Sequence, residues 1–178
     1  RSPMRGVPWE MARLSAVVRA TAPDVILLHS SKAGLVGRLL VRRRIPTVFA
    51  PHAWSFDAVS EPTAAWARSW ERLAARWTDA ILCVSEDEIE AGRRAGISAD
   101  FKLARNGVDV ALVAELASRG EVLRADLKLD ETTKLVVCVG RLVPQKGQDI
   151  LLRAWSQVSG SHRKRILVIV GGGPQEPE

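Results

Sequence analysis

The sequence predicts an α/β fold built on parallel sheets, and two observations predict it. Short apolar runs rich in Val, Ile and Leu recur along the chain, and segments of helical period separate them. The runs are residues 24–30 (DVILLHS), 46–51 (PTVFAP), 79–85 (DAILCVS), 134–140 (KLVVCVG) and 165–171 (RILVIVG). They show little apolar–polar alternation, so each reads as a strand buried on both faces.

The helices follow in order. Residues 32–44 carry Leu35, Val36, Leu39 and Leu40 on one face and close on Arg42, Arg43 and Arg44, where cations suit the helix dipole. Residues 61–77 set Trp66, Trp70, Leu73 and Trp77 at spacings of four, three and four, a single stripe expected to pack inward. Ser85-Glu86-Asp87-Glu88 is a capping box, with Ser85 as N-cap and Glu88 at the third helical position, so a helix is expected over 86–95. The rhythm then falters. FKLARNGVDV (101–110) holds a short strand-like run and an Asn-Gly turn signal, a polar helix is expected over 110–119, and a charged stretch follows. A boundary near 108 therefore divides the chain into two α/β units, 1–107 and 108–178. Residues 148–158 give the last helix, with Leu151, Leu152 and Trp155 as its inner face. No internal repeat or low-complexity tract is evident.

Composition bounds the function. Of 178 residues, 47% are apolar and 26% charged, which excludes a disordered chain. The net charge is +6, and the basic residues are 20 Arg against 6 Lys. Arg is the better fork for phosphate, yet a compositional bias identifies no ligand. No apolar run reaches the roughly 18 residues of a membrane span. Cys83 and Cys138 sit inside apolar runs and read as buried free thiols of a reducing compartment, which excludes a disulfide scaffold. No His, Cys, Asp or Glu trio has metal-ligand spacing, so no metal is expected. The chain starts at Arg1 without a signal-peptide pattern, and no helix follows its last strand. It is expected to be a piece of a longer protein at both ends.

In an open parallel sheet, ligands bind beyond the carboxyl ends of the strands, and four such ends here carry unusual residues. After 134–139 comes Gly140-Arg141-Leu142-Val143-Pro144-Gln145-Lys146-Gly147. Gly140 permits close approach, and Arg141 and Lys146 stand before a helix N-terminus, a natural anion site. Solvated loop charges are the other reading. Gly171-Gly172-Gly173-Pro174 ends the last strand, as a ligand-facing loop or a tight turn. It is not the dinucleotide fingerprint, because Glu176 occupies the third glycine's position, and no Gly-Lys-Ser/Thr follows it. Ser31 is a plausible N-cap in Ser30-Ser31-Lys32-Ala33-Gly34, where Gly34 and Gly37 allow a helix to approach the sheet or a ligand. His52, in PHAWSF, could bond a sugar hydroxyl or satisfy a buried loop. His29 ends the first strand, and His162 lies in a basic turn.

Taken in order, HSSKAGLVGRL (29–39), PHAWSF (51–56), VSE (84–86), RNGVD (105–109), VGRLVPQKGQDILLRAW (139–155) and VIVGGGP (168–174) resemble the family-4 retaining glycosyltransferases of GT-B fold. The match runs from about residue 24 to the end, and GRLVPQKG with GGGP is its most specific part. HSSKAG with PHAWSF resembles the branch that builds bacterial exopolysaccharides and lipid-linked glycans. The resemblance implies parts of two Rossmann-like domains facing a cleft, the first holding acceptor and the second the nucleotide sugar. It implies that Ser31, Lys32 and Gly34 lie on the substrate side and that Asn106 joins the domains. It places His52 near the transferred sugar, Gly140 and the loop of Gly172 and Gly173 near the donor, and Arg141 with Lys146 as a clamp on the departing diphosphate. Such fixed cations would stabilise the transition state, with no cofactor required. The departures are equally specific. The family's N-terminal strand and glycine-rich loop are missing before residue 24, the second domain stops short of its Glu-x7-Glu motif, and Arg105 replaces a proline. The fragment alone is expected to transfer sugar poorly or not at all.

The expected partners are a nucleoside-diphosphate sugar donor and a glycan or polyprenyl-linked acceptor, in the cytoplasm. Arg42–Arg44 and Arg163–Arg165 suit either peripheral contact with the inner face of the plasma membrane or solvated helix ends. Nucleic-acid binding has only charge behind it. Two alternatives stay open: a UDP-sugar 2-epimerase of the same fold, against which the acceptor-side resemblance speaks, and a non-catalytic nucleotide-binding fragment.

Overall fold

The computed structural model describes residues 6–117, 120–158 and 164–174; the last two positions of the helix expected over 110–119, and His162, Arg163 and Glu176, lie outside the described residues. The chain divides into two compact units, Arg1–Gly107 and Val108–Glu178. Both are α/β with parallel strands, as expected.

The first unit runs α1 (Val7–Thr21), β1 (Ile26–His29), α2 (Ser31–Val41), β2 (Thr47–Ala50), a 3-10 turn (Ser55–Asp57), α3 (Thr63–Ala75), β3 (Ala80–Cys83), α4 (Glu86–Arg94) and β4 (Phe101–Leu103). Its strands lie in the order β1-β2-β3-β4, all parallel. Ile26 stands opposite Thr47 and His29 opposite Ala50, so the carboxyl ends of β1 and β2 are adjacent. The core gathers Leu28, Phe49, Trp54, Phe56, Ile81 and Ile97. Helix α1 has no fully buried residue, but Val7, Met11, Leu14 and Val18 recur at spacings of four, three and four and are half-buried; Gly6 and a proline in its first turn mark its start.

Several expectations are corrected. Strands β2 and β3 have well-buried centres, but β1 is an edge strand with Leu27 exposed. Helix α2 ends at Val41, so Arg42, Arg43 and Arg44 lie past it instead of closing its last turn; Arg42 and Arg43 have φ of 43° and 65°. Ser30, not Ser31, is the N-cap of α2, and its side chain makes no capping bond.

The tryptophan stripe does not form the inward face of α3. Trp66 is 78% exposed and Leu73 is also exposed, while Ala64, Glu71, Ala74 and Ala75 are buried. Alanines let the helix backbone approach closely, and a charge pair occupies the centre of the contact. The Glu71 carboxylate accepts from Arg38 Nη2 at 2.8 Å, with side chains 0% and 2% exposed for Arg38 and Glu71. Arg38 Nε donates to the Gly34 carbonyl at 2.9 Å, and its guanidinium lies 3.9 Å over the Phe49 ring. Burial pushes the Arg38 pKa down, and Glu71 opposes that push. Trp70 and Trp77 meet edge to face beside this pair.

Ser85 caps α4 as expected: its Oγ accepts from the Glu88 N–H at 3.1 Å. Glu88 Oε2 accepts from the Val84 N–H at 2.8 Å, one residue before the cap. Burial first and the Glu88 carboxylate second push the Cys83 thiol up to about 12, so Cys83 is an inert core thiol. Cys138, expected to be buried, is only half-buried.

The second unit runs α5 (Val110–Ala117), α6 (Gly120–Asp126), β5 (Lys134–Val139), a 3-10 turn (Pro144–Lys146), α7 (Gln148–Val158) and β6 (Arg165–Val170). Strands β5 and β6 pair in parallel, Lys134 opposite Arg165 through Val139 opposite Val170. Neither is buried on both faces: Val136, Val137, Val139, Ile166 and Val170 are exposed. Helix α5 is apolar, not polar, and its described side chains are exposed. On α7, Leu151 and Trp155 turn partly inward as expected, but Leu152 is exposed and Gln148 is the buried residue. Among the described residues, no helix is long and apolar enough to cross a membrane.

Candidate functional site

In the first unit, the strand ends bring two of the singled-out residues together. β1 hands over to α2 through Ser30 at φ 80°, and β2 leads through Pro51 into His52 at φ 54° and Ala53 at φ 132°. Left-handed backbone at three non-glycine residues costs about 1–3 kcal/mol each and persists only where surrounding structure enforces it. The Ser30 N–H donates to the Ala50 carbonyl at 3.0 Å, which carries the β1–β2 pairing one step past the strands. The imidazoles of His29 and His52 then meet: His29 Nδ1 and His52 Nε2 are 2.7 Å apart, with the rings inclined by 15°.

His52 borders a cavity of about 490 Å³ whose walls include Trp54, Asp57, Ser85, Asp87 and Arg94. The floor is rigid. The Trp54 Nε1–H donates to the Glu88 carbonyl at 2.8 Å, and the Trp54 ring stacks on Phe56 at 5.4 Å. A mostly apolar wall with Ala53, Trp54, Val84 and Ala91, carrying an imidazole, a few carboxylates and one guanidinium, suits a ligand with both an apolar face and hydroxyls.

Ser31, Lys32 and Gly34 do not join this group. The Lys32 ammonium pairs with Glu10 of α1 at 2.6 Å, beside a second cavity lined partly by Leu14, Ile26 and Val36. A Cβ at Gly34 would collide with the Phe49 ring, and one at Gly37 with Leu28. Of the two uses expected for these small residues, the structure displays the close approach of helix to sheet. Asn106 is exposed at the unit boundary, while its neighbour Arg105 pairs with Glu86 at 2.9 Å.

In the second unit, the two glycine-bearing strand ends lie against each other. The Gly140 N–H donates to the Val170 carbonyl at 2.9 Å and the Leu142 N–H to the Gly172 carbonyl at 3.1 Å. Gly171 has φ 154°, and a Cβ there would strike the Gly140 carbonyl; one at Gly173 would strike the Leu142 carbonyl. These glycines are therefore demanded by backbone-to-backbone contact. Gln148, part of the motif 139–155 but given no role by the sequence, braces the loop. It is 7% exposed, and its Nε2 donates to the Arg141 carbonyl at 2.9 Å. Its position directly after Gly147 was the only available signal.

Arg141 and Lys146 are exposed and make no ion pair or hydrogen bond through their side chains among the described residues. Asp149, in the first turn of α7, pairs with Arg153 at 2.7 Å and leaves both cations free. The loop thus presents two unspent positive charges on a braced backbone beside the N-terminus of a helix, an arrangement that suits a phosphate-bearing ligand.

Comparison with known proteins adds a family framework. The model of Glycosyltransferase Family 4 matches residues 1–112, and that of Glycosyl transferases group 1 matches residues 120–178. An Escherichia coli UDP-Gal:alpha-D-GlcNAc-diphosphoundecaprenol alpha-1,3-galactosyltransferase is 27% identical over 84% of this chain and 41% of its own length. The alpha-D-kanosaminyltransferase of Streptomyces kanamyceticus is 30% identical over 96% of this chain and 39% of its own. The chain thus spans about two-fifths of the length of these relatives. Among solved structures, Anabaena HepE in complex with UDP and glucose superposes with a TM-score of 0.70 at 26% identity, covering 92% of this chain and 43% of that one. Sucrose-phosphate synthase from Thermosynechococcus elongatus has a TM-score of 0.72 at 22% identity, covering 96% and 43%, a likeness of fold.

Proposed function

The chain belongs to glycosyltransferase family 4, and we propose that it forms the acceptor-side domain and part of the donor-side domain of an enzyme that transfers a sugar from a nucleoside diphosphate with retention. One observation carries this reading: Arg141 and Lys146 stand uncommitted on a loop whose backbone is locked to the glycine loop 171–173. Charge develops on the diphosphate oxygens as the glycosidic bond to the leaving group breaks. Cations carried by that braced loop and unspent elsewhere stabilise the charge as it develops. His52 faces the transferred sugar in this reading, and residues 1–107 receive a glycan or polyprenyl-linked acceptor. The bound UDP in HepE and the diphosphoundecaprenol in the name of the Escherichia coli relative support the donor and acceptor classes. Arg42, Arg43 and Arg44, exposed beyond the end of α2, suit contact with an anionic membrane surface in the cytoplasm.

Titration calorimetry of the chain with UDP and GDP tests the donor site. Binding of one of them is expected, and Arg141→Ala and Lys146→Ala should each weaken it by about tenfold or more, the loss of one charge-assisted hydrogen bond. Unchanged affinity in both variants removes the site. A transfer assay on the whole protein separates the alternatives. Glycosylated acceptor supports the proposal, an epimerised sugar nucleotide replaces it, and binding without turnover reduces it to a nucleotide-binding fragment.

A further inference from the structure

At the carboxyl ends of β1 and β2 the imidazoles of His29 and His52 touch. Neither ring is explained by packing, since both are exposed, yet their nitrogens meet at 2.7 Å. Only one proton fits between two nitrogens at that distance, so one ring donates and the other accepts. A neutral imidazole has a single N–H. Whatever sits between Nδ1 of His29 and Nε2 of His52 therefore fixes the state of His52's other nitrogen, Nδ1.

We propose that His29 is a positioning residue that donates through Nδ1 to Nε2 of His52 and so holds neutral His52 with its proton on Nδ1. The direction follows from the surroundings. The cavity bordered by His52 carries the carboxylates of Asp57 from the 3-10 turn and Asp87 from α4, with Arg94 as the one cation among its lining residues; Glu88 also lines it, but its carboxylate is buried and holds the Val84 N–H. Two carboxylates are acceptors and one guanidinium is a donor, so an N–H on His52 finds more partners there than a lone pair does. Backbone geometry supports the same purpose. The left-handed residues Ser30, His52 and Ala53 flank the contact and turn the two strand ends into one rigid corner. In consequence His52 offers a hydrogen-bond donor, not a base, to a hydroxyl or other oxygen of a bound sugar. This deepens the proposed sugar site and rests on it for its purpose, but the proton's location can be measured without any sugar.

The chain has three histidines, so long-range proton–nitrogen correlation spectra of the nitrogen-15-labelled protein contain three imidazole patterns, which single substitutions assign. At about pH 8.5, above the ordinary histidine range, His52 is expected to show a protonated Nδ1 and a bare Nε2. His29→Asn, which keeps a donor, should preserve that pattern. His29→Phe should move the proton of His52 to Nε2 in most molecules. In the whole protein, His29→Phe should lower kcat by about tenfold with the KM for the sugar nucleotide unchanged, and His29→Asn should recover most of it. A wild-type His52 protonated on Nε2, or a pattern indifferent to His29→Phe, overturns the proposal whatever the transfer assay gives. The expected pattern in a protein that transfers no sugar would instead overturn the function and leave the positioning intact.

Discussion

Glu71 illustrates how much one side chain can hold. It joins α3 to Arg38 of α2, and Arg38 in turn covers Phe49 of β2 and grips the Gly34 carbonyl, so three elements meet at a single charge pair. Ser55, at the start of the turn beyond His52, also reaches Glu71, at 3.4 Å. Removing one partner leaves the other an unpaired, fully buried charge. Glu71→Ala is therefore expected to cost about 3–5 kcal/mol, whereas the paired change Arg38→Met with Glu71→Leu should restore much of it. Urea unfolding followed by circular dichroism checks both. No sequence rule could pair residues 33 positions apart, and a charged residue in a helical pattern is ordinarily assigned to solvent. His29 and His52 were individually visible, but their contact depends on the register that sets His29 opposite Ala50.

Strands and their carboxyl ends were the most legible elements. Burial of Phe49, Ile81 and Cys83 drives β2 and β3, the β-branched runs of β5 and β6 favour extended backbone even where exposed, and the Ser85 box is local chemistry that needs no tertiary partner. Facing was less legible. The spacing of Trp66, Trp70 and Leu73 says that they share a side of α3, but not that alanines would claim the approach to the core, nor that the helix would end at Ala75, before Trp77. Helix α1 does carry a stripe, Val7, Met11, Leu14 and Val18, but a short, half-buried one interrupted by exposed Trp9 and Val17, so its signal is weak beside those of the strands. The glycine loop was legible as a turn, while its partner was not. Gly171→Ala tests that pairing: the added methyl meets the Gly140 carbonyl at a φ rarely adopted by other residues, and a loss of about 2 kcal/mol or more is expected. Gly107→Ala, with nothing within 4 Å of its Cβ position, should stay within about 0.5 kcal/mol of the parent. Thermal unfolding of the two variants gives the comparison, and equal losses would contradict the assigned contact.

The two units differ in how well each is built. Every fully buried apolar side chain among the described residues belongs to the first, from Leu28 to Ile97, whereas Thr133 and Gln148 are the buried residues of the second. Denaturant should accordingly melt the chain in two steps, with the unit of residues 108–178 yielding first. Hydrogen exchange checks this: amides of β5 and β6 should exchange at lower urea than those of β2 and β3, and a single concerted loss of protection would refute it. A nucleoside diphosphate should raise the first step alone.

The second sheet also has a bearing on handling. Val136, Val137, Val139, Ile166 and Val170 lie uncovered on a parallel pair of strands, an adhesive surface of the kind that recruits more strands. Concentrated solutions of this chain should become turbid sooner than its charge of +6 would suggest, and aspartate or lysine at Val137 would be the first remedy to try.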